Sequence, residues 1–154
     1  MATINRFEDL DVWKKARVLS KAIYLKSIEG SFAKDFSLKD QINRSSGSVM
    51  DNVAEGFERE GRQEFVQFLS YSKSSAGEVR SQLYRALDRG HITQAEFDEL
   101  YEQTFGLGKM LGGFMNYLKK SEIKGLKYKA SEPEVGYDDY KSEIWNLKLN
   151  HVKH

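Results

Sequence analysis

The sequence predicts an all-α protein, an antiparallel up-down-up-down four-helix bundle with a C-terminal tail, and three observations carry that expectation. Apolar residues recur at steps of three and four through four long segments, which is the period of a helix buried along one face. The single proline, Pro133, lies beyond all four, so no proline ring interrupts a helix before it. Thr93 and Glu96 have the spacing of a capping box, with Ile92 and Phe97 at the two positions of a hydrophobic staple. Short links between successive helices make antiparallel neighbours.

The first segment, about Asp9 to Glu29, sets Val12, Ala16, Leu19 and Ile23 along one face, with Trp13, Ser20 and Tyr24 broadening it and Gly30 ending it. The second starts near Ser37, where Ser37 and Asp40 have the spacing of a capping-box variant with a shorter acid. It continues through Leu38, Ile42, Ser45, Val49 and Val53, with Gly56 as its expected C-terminal stop. The third runs from about Arg62 to Arg89 with Phe65, Phe68, Leu69, Ser72, Ala76, Val79, Leu83 and Ala86 on one face, and Gly90 ends it. The fourth takes Thr93 as its N-cap and carries Phe97, Leu100, Thr104, Leu107, Leu111, Phe114 and Leu118 to about Lys120, the seam spacing of helices packed at a shallow angle. Gly106, Gly108, Gly112 and Gly113 lie inside it. Each costs about 1 kcal/mol relative to alanine in a helix interior, so close approach of another helix is the expected compensation. Residues 1–120 are therefore read as the bundle, and 121–154 as a C-terminal extension, irregular or forming a short docked helix.

Length and composition set further bounds. A chain of 154 residues is the size of one domain. It has no cysteine, which removes disulfides, thiolate metal sites and a cysteine nucleophile and points to a reducing compartment. The polar stretch Met1 to Asp11 is no signal peptide, and no run approaches the roughly 20 apolar residues of a membrane span. A cytoplasmic protein without a membrane partner is expected. Net charge is only +1, far from the global field of a dedicated nucleic-acid binder. Locally the charge is uneven: Lys14, Lys15, Arg17, Lys21 and Lys26 occur between Val12 and Ser27 without an acid, while Glu96, Asp98, Glu99 and Glu102 cluster at the start of the fourth segment. Each run is either a solvated helix face or a contact surface.

Several polar residues are candidates for a site. Arg44, Ser48, Asn52 and Glu55 fall on one side of the second helix, beside its apolar stripe, and Ser72, Ser74, Ser75 and Glu78 on the third are plausible partners. Such a ladder is either a ligand site or an interhelical hydrogen-bond network that sets register. Arg59 and Arg62, in the next turn, either hold phosphate or balance Glu55, Glu58, Glu60 and Glu64. His91, His151 and His154 supply no Glu-x-x-His pair on a predicted helix, so no metal is expected. No Gly-x-Ser-x-Gly elbow and no phosphate-binding Gly-x-x-x-x-Gly-Lys run occurs, and no acid is identifiable in the sequence to orient His91. Neither catalytic residues nor a cofactor are expected.

The order of residues also resembles a known family. Asp9-Leu10-Asp11-Val12-Trp13-Lys14-Lys15-Ala16, Gln41-Ile42-Asn43-Arg44-Ser45, Ser48-Val49-Met50-Asp51-Asn52-Val53-Ala54-Glu55-Gly56, Glu64-Phe65-Val66-Gln67-Phe68-Leu69 and Ser75-Ala76-Gly77-Glu78 resemble the four-helix-bundle proteins named after intervening sequences of bacterial 23S ribosomal RNA genes. The resemblance spans about Phe7 to Leu118 and implies a bundle that assembles as a ring-like homopentamer without established enzymatic activity. It also implies kinship with the accessory protein of diversity-generating retroelements, a basic pentameric bundle that engages reverse transcriptase and nucleic acid. Met50 stands where the family often has proline, and the near-neutral charge departs from the basic relative.

The resulting expectation is a non-catalytic protein that assembles with copies of itself. The alternative is an RNA-binding accessory protein, or one with a protein partner, using Lys14, Lys15, Arg17, Lys21, Arg44, Arg59 and Arg62. In both readings Ser48, Asn52, Glu55 and Glu78 belong to the structural ladder.

Overall fold

The computed structural model describes residues 4–121. After a 3-10 turn at Phe7–Asp9 come four helices: α1 (Asp11–Ser27), α2 (Phe36–Glu58), α3 (Arg62–Asp88) and α4 (Gln94–Lys120). A second 3-10 turn, Phe32–Lys34, lies between α1 and α2. Each helix packs on the next in sequence and α4 returns to α1, which closes an all-α, up-down-up-down bundle. The expected extension beyond Ser121 lies outside the described residues.

The apolar stripes point inward as their period requires. Leu19 and Ile23 of α1, Leu38 and Ile42 of α2, Leu69 and Leu83 of α3, and Leu107, Leu111, Phe114 and Leu118 of α4 are fully buried. Phe65 bridges two layers, lying edge-on to Phe57 at 5.9 Å and to Phe114 at 5.4 Å between ring centroids. Such edge-to-face pairs add to the stabilisation from burial alone. At the N-terminus Phe7 packs edge-on against the half-buried Trp13, 5.2 Å away, and Arg17 lies 5.8 Å from the same ring.

The helix ends show where local chemistry decides. The capping box forms at Thr93: its hydroxyl accepts from the Glu96 amide at 3.2 Å and the Glu96 carboxylate accepts from the Thr93 amide at 2.9 Å, while Ile92 and Phe97 are both buried. The end of α3 is a Schellman turn, in which His91 N–H reaches Ala86 O at 2.9 Å and Gly90 N–H reaches Leu87 O at 3.0 Å. It requires a residue at positive φ, supplied by Gly90 at 72°.

Two expected boundaries are corrected. The N-cap of α2 is Asp35, whose carboxylate accepts from the Leu38 amide at 3.3 Å, so Ser37 lies inside the first turn. Gly56 does not stop α2, which continues to Glu58. Its role is contact: a Cβ there would sit 2.5 Å from Phe68 Cβ, so this glycine lets α2 and α3 approach closely where the chain turns. At Met50, the position of the family's proline, α2 continues as α-helix.

Candidate interaction surfaces

The polar ladder divides into two parts. Asn52 Nδ2 donates to the carbonyl and the hydroxyl of Ser48, both at 2.9 Å, and Ser75 Oγ of α3 donates to Ser48 Oγ at 3.0 Å. One turn earlier on α2, Ser45 Oγ lies 3.2 Å from the Glu78 carboxylate and accepts from Gln82 Nε2 at 3.0 Å. Ser72 Oγ donates to Val49 O at 2.6 Å. The Asn52 bonds stay within α2, and the others stitch α2 to α3 in one register, because buried donors and acceptors that lose their partners are costly. Arg44 and Glu55 are not part of the stitch: Arg44 is exposed and pairs with Asp40 at 3.1 Å, and Glu55 is exposed and pairs with Arg59 at 3.4 Å. Ser45 and Gln82 are members that the spacing argument missed. Ser45 reads as a stripe residue, whereas Gln82 follows Ser75 and Glu78 at steps of three and four, so the spacing that places Glu78 in the ladder also reaches it.

The basic candidates do not converge. Arg59 also lies 5.1 Å from the Phe68 ring, and Arg62 reaches from the start of α3 to the carbonyl of Ser121, past the end of α4. Lys14, Lys15, Arg17 and Lys21 line the exposed side of α1. Nor are the acids of α4 all available to another molecule. Glu96 forms an ion pair with Lys26 of α1, and its carboxyl is held at about 2 by Lys26 and by the Thr93 amide. The basic helix and the acidic helix start thus already meet within one chain.

At the end of the bundle where α2 begins, the structure joins residues that the sequence left apart. His91 Nδ1 is 2.8 Å from Ser31 Oγ and its Nε2 is 2.8 Å from Asp35 Oδ2, which also accepts from Arg89 at 2.8 Å. Phe32 stacks on the imidazole with 5.2 Å between centroids. The expectation that His91 lacks an orienting acid is therefore corrected: Asp35, 56 positions away in the chain, supplies it. Serine, histidine and aspartate here resemble a nucleophile relay in composition, but the carboxylate is also engaged by a guanidinium and by the α2 amide. Hydrogen bonds from His91 and then Arg89 lower the Asp35 carboxyl to about 2. An acid compensated in this way clamps the α1–α2 connection to the α3–α4 turn.

Two outer surfaces carry the remaining signals. Along α1 and its C-cap Ile28, Lys14, Val18, Lys21, Leu25 and Ile28 follow one another in steps of four and three, on the side opposite the buried stripe of Val12, Ala16, Leu19 and Ile23. Val18 is 61% exposed, Leu25 47% and Ile28 43%. Between α3 and α4 runs a groove of about 440 Å³ lined in part by Gly77, Gly108 and Gly112. A Cβ at Gly108 would meet nothing within 4 Å, and one at Gly112 only the end of Lys73. Among the described residues, therefore, the close approach of another helix expected at Gly108 and Gly112 does not occur.

These features define a four-helix bundle whose polar residues serve register and loop closure, with an exposed apolar stripe on α1 and a basic groove between α3 and α4. The chain belongs to the 23S rRNA-intervening sequence protein family, whose family model matches residues 8–113. Among solved structures it is similar to a protein of unknown function of the S23 ribosomal protein family from Bacteroides thetaiotaomicron. The two are 22% identical with a TM-score of 0.60, over 65% of this chain and 94% of that one, a likeness of fold. No match is found among curated proteins. Among the described residues no helix is long and apolar enough to cross a membrane, and no group of three or more His, Cys, Asp or Glu is placed to hold a metal ion.

Proposed function

We propose that this chain is a non-catalytic assembly protein that associates with copies of itself through the outer face of α1. One observation carries the reading: α1 is apolar on two opposite sides, and the bundle lies on only one of them. Isolated exposed apolar residues are ordinary, but Val18, Leu25 and Ile28 repeat in the 4-3 spacing of a helix seam, with Tyr24 beside them 52% exposed. Lys14 and Lys21 interrupt the stripe and favour a partner surface that offers carboxylates. A contact between unlike faces of identical chains closes into a ring when the rotation permits. Five is the number that the family resemblance implies, and kinship with the retroelement accessory protein carries the same expectation. The Ser31–His91–Asp35 contact, occupied with holding two connections together, supports a role without catalysis.

Light scattering on the full-length protein tests the proposal. The expected mass is that of a closed oligomer, and Val18→Glu with Leu25→Glu should lower it while the helical circular dichroism is kept. A wild-type monomer at micromolar concentration overturns self-assembly. Titration with RNA at two salt concentrations is expected to show no binding; affinity that falls steeply with salt, the mark of phosphate contacts, would replace this reading by nucleic-acid binding.

A further inference from the structure

The groove between α3 and α4 is lined by several glycines, and its charged side chains are all of one sign. Gly77 and Gly108 face open space, so a Cβ at either position would touch nothing within 4 Å. Glycine is a poor helix former, and two open glycines facing one groove leave room for the backbone of another segment to lie close. Lys73 and Arg80 of α3 and Lys109 of α4 line the groove, and no carboxylate does. Among the described residues Lys73 and Arg80 form no ion pair. The Arg80 guanidinium lies 5.4 Å from the Phe105 ring and 6.0 Å from Tyr101, whose two rings are stacked within 14° of parallel. Lys73 and Arg80, on the same helix with no carboxylate between them in the groove lining, repel one another, so the occupant that suits this groove is an acidic chain with aromatic side chains to set against Phe105.

We infer that this groove binds an acidic, tyrosine-containing peptide, and that its occupant is residues 132–143 of the same chain. That stretch carries Glu132, Glu134, Asp138, Asp139 and Glu143 against the single cation Lys141, together with Tyr137 and Tyr140. Its attachment point suits the groove. Helix α4 ends at Lys120 and the groove already opens at Asn116. Residues 122–131 span up to roughly 35 Å when extended, while the far lining residue Thr104 is about 26 Å back along α4 from Ser121 at the helical rise. A tethered segment of this length has an effective concentration on the order of millimolar, which favours it over a segment of a separate copy at micromolar protein. The inference is independent of the self-assembly reading, which rests on α1.

Hydrogen exchange followed by mass spectrometry on the full-length chain tests it. In the wild type the amides of 132–143 should exchange about tenfold more slowly than in an unprotected peptide. Lys73→Glu with Arg80→Glu should abolish that protection, and so should Asp138→Lys with Asp139→Lys, which leaves the bundle untouched if the first pair impairs folding. All four substitutions together should restore it. An unprotected stretch in the wild type overturns the inference, as does protection that survives both pairs of substitutions. Protection lost on dilution would place the stretch on a second copy and overturn docking within one chain. An unprotected stretch with residues 104–116 shielded by added single-stranded RNA would assign the groove to nucleic acid instead.

Discussion

Replacing Gly56 by alanine separates two uses of glycine that composition cannot tell apart. A Cβ at position 56 would lie 2.5 Å from Phe68 Cβ, 3.1 Å from Phe65 Cδ2 and 3.3 Å from Phe68 Cγ. The first atom is tied to the α3 backbone and does not swing away with a rotamer change, so α2 and α3 must separate where they are joined by a short turn. Alanine gains about 1 kcal/mol of helix propensity over glycine, whereas overpacking a filled contact costs about 1 to 3 kcal/mol, occasionally more. With a contact this short the strain prevails, and Gly56→Ala should destabilise the fold by about 1 to 2 kcal/mol. Gly47→Ala, on the same helix, is the control: its Cβ meets nothing within 4 Å, so propensity alone acts and stability should rise by up to about 1 kcal/mol. Urea unfolding followed by circular dichroism, at one protomer concentration so that any association contributes equally, reads both. A midpoint for Gly56→Ala at or above the wild type would refute the close approach of α2 and α3.

Thr93→Ala removes the cap of α4 and should cost about 1 kcal/mol, seen as a lower thermal midpoint; an unchanged midpoint would mean that the box contributes nothing. Asn52→Leu deletes two hydrogen bonds to Ser48 and should cost about 1 to 2 kcal/mol with the oligomeric mass retained, whereas a fully stable variant that lost a binding partner would make the ladder a site. The Asp35 and Glu96 carboxyls are both held at about 2 in the fold, below their ordinary 3.8 and 4.5. The stability they contribute is thus present in full above about pH 5 and is lost as pH falls toward 2. Asp35→Asn should be less stable than the wild type at pH 7, with the difference narrowing by pH 3, and a difference that stays constant in unfolding midpoints across that range would contradict the assigned ionisation.

How much of the fold can be read from the sequence depends on whether the deciding interaction is local. The α4 start is fully legible, because Thr93 and Glu96 satisfy one another's backbone groups within a single turn. The α2 start is misread for a related reason: Ser37 and Asp40 have an acceptable spacing, but Asp35 caps the helix and is at the same time held by His91 and Arg89, which only the closed bundle brings near. Gly56 is misread because a glycine after a helical run has two explanations with the same local pattern, a terminus and a close contact, and Phe68 decides between them from another helix.

The candidate surfaces show the same limit at longer range. Ser48 and Asn52 belong to one helix and are legible as a pair, whereas the bonds from Ser45 to Glu78 and Gln82 depend on how α2 lies against α3, and a one-turn slip would give the serine different partners. On α1 the difficulty is not distance but degeneracy. Val12, Ala16, Leu19 and Ile23 repeat with the same alternation of four and three as Lys14, Val18, Lys21, Leu25 and Ile28, and the stripe with fewer charges is taken for the core, correctly, so the second drops out of view. Once the first stripe is buried, the second faces directly away from the bundle. Lysine stems cover apolar surface while their ends stay in water, so two lysines in such a stripe are compatible with a seam and also keep the unassembled chain from aggregating. An exposed seam tempered in this way would suit a protein that folds alone and then assembles, and placing glutamate at Val18 and Leu25 should act on that second step while leaving the buried stripe intact.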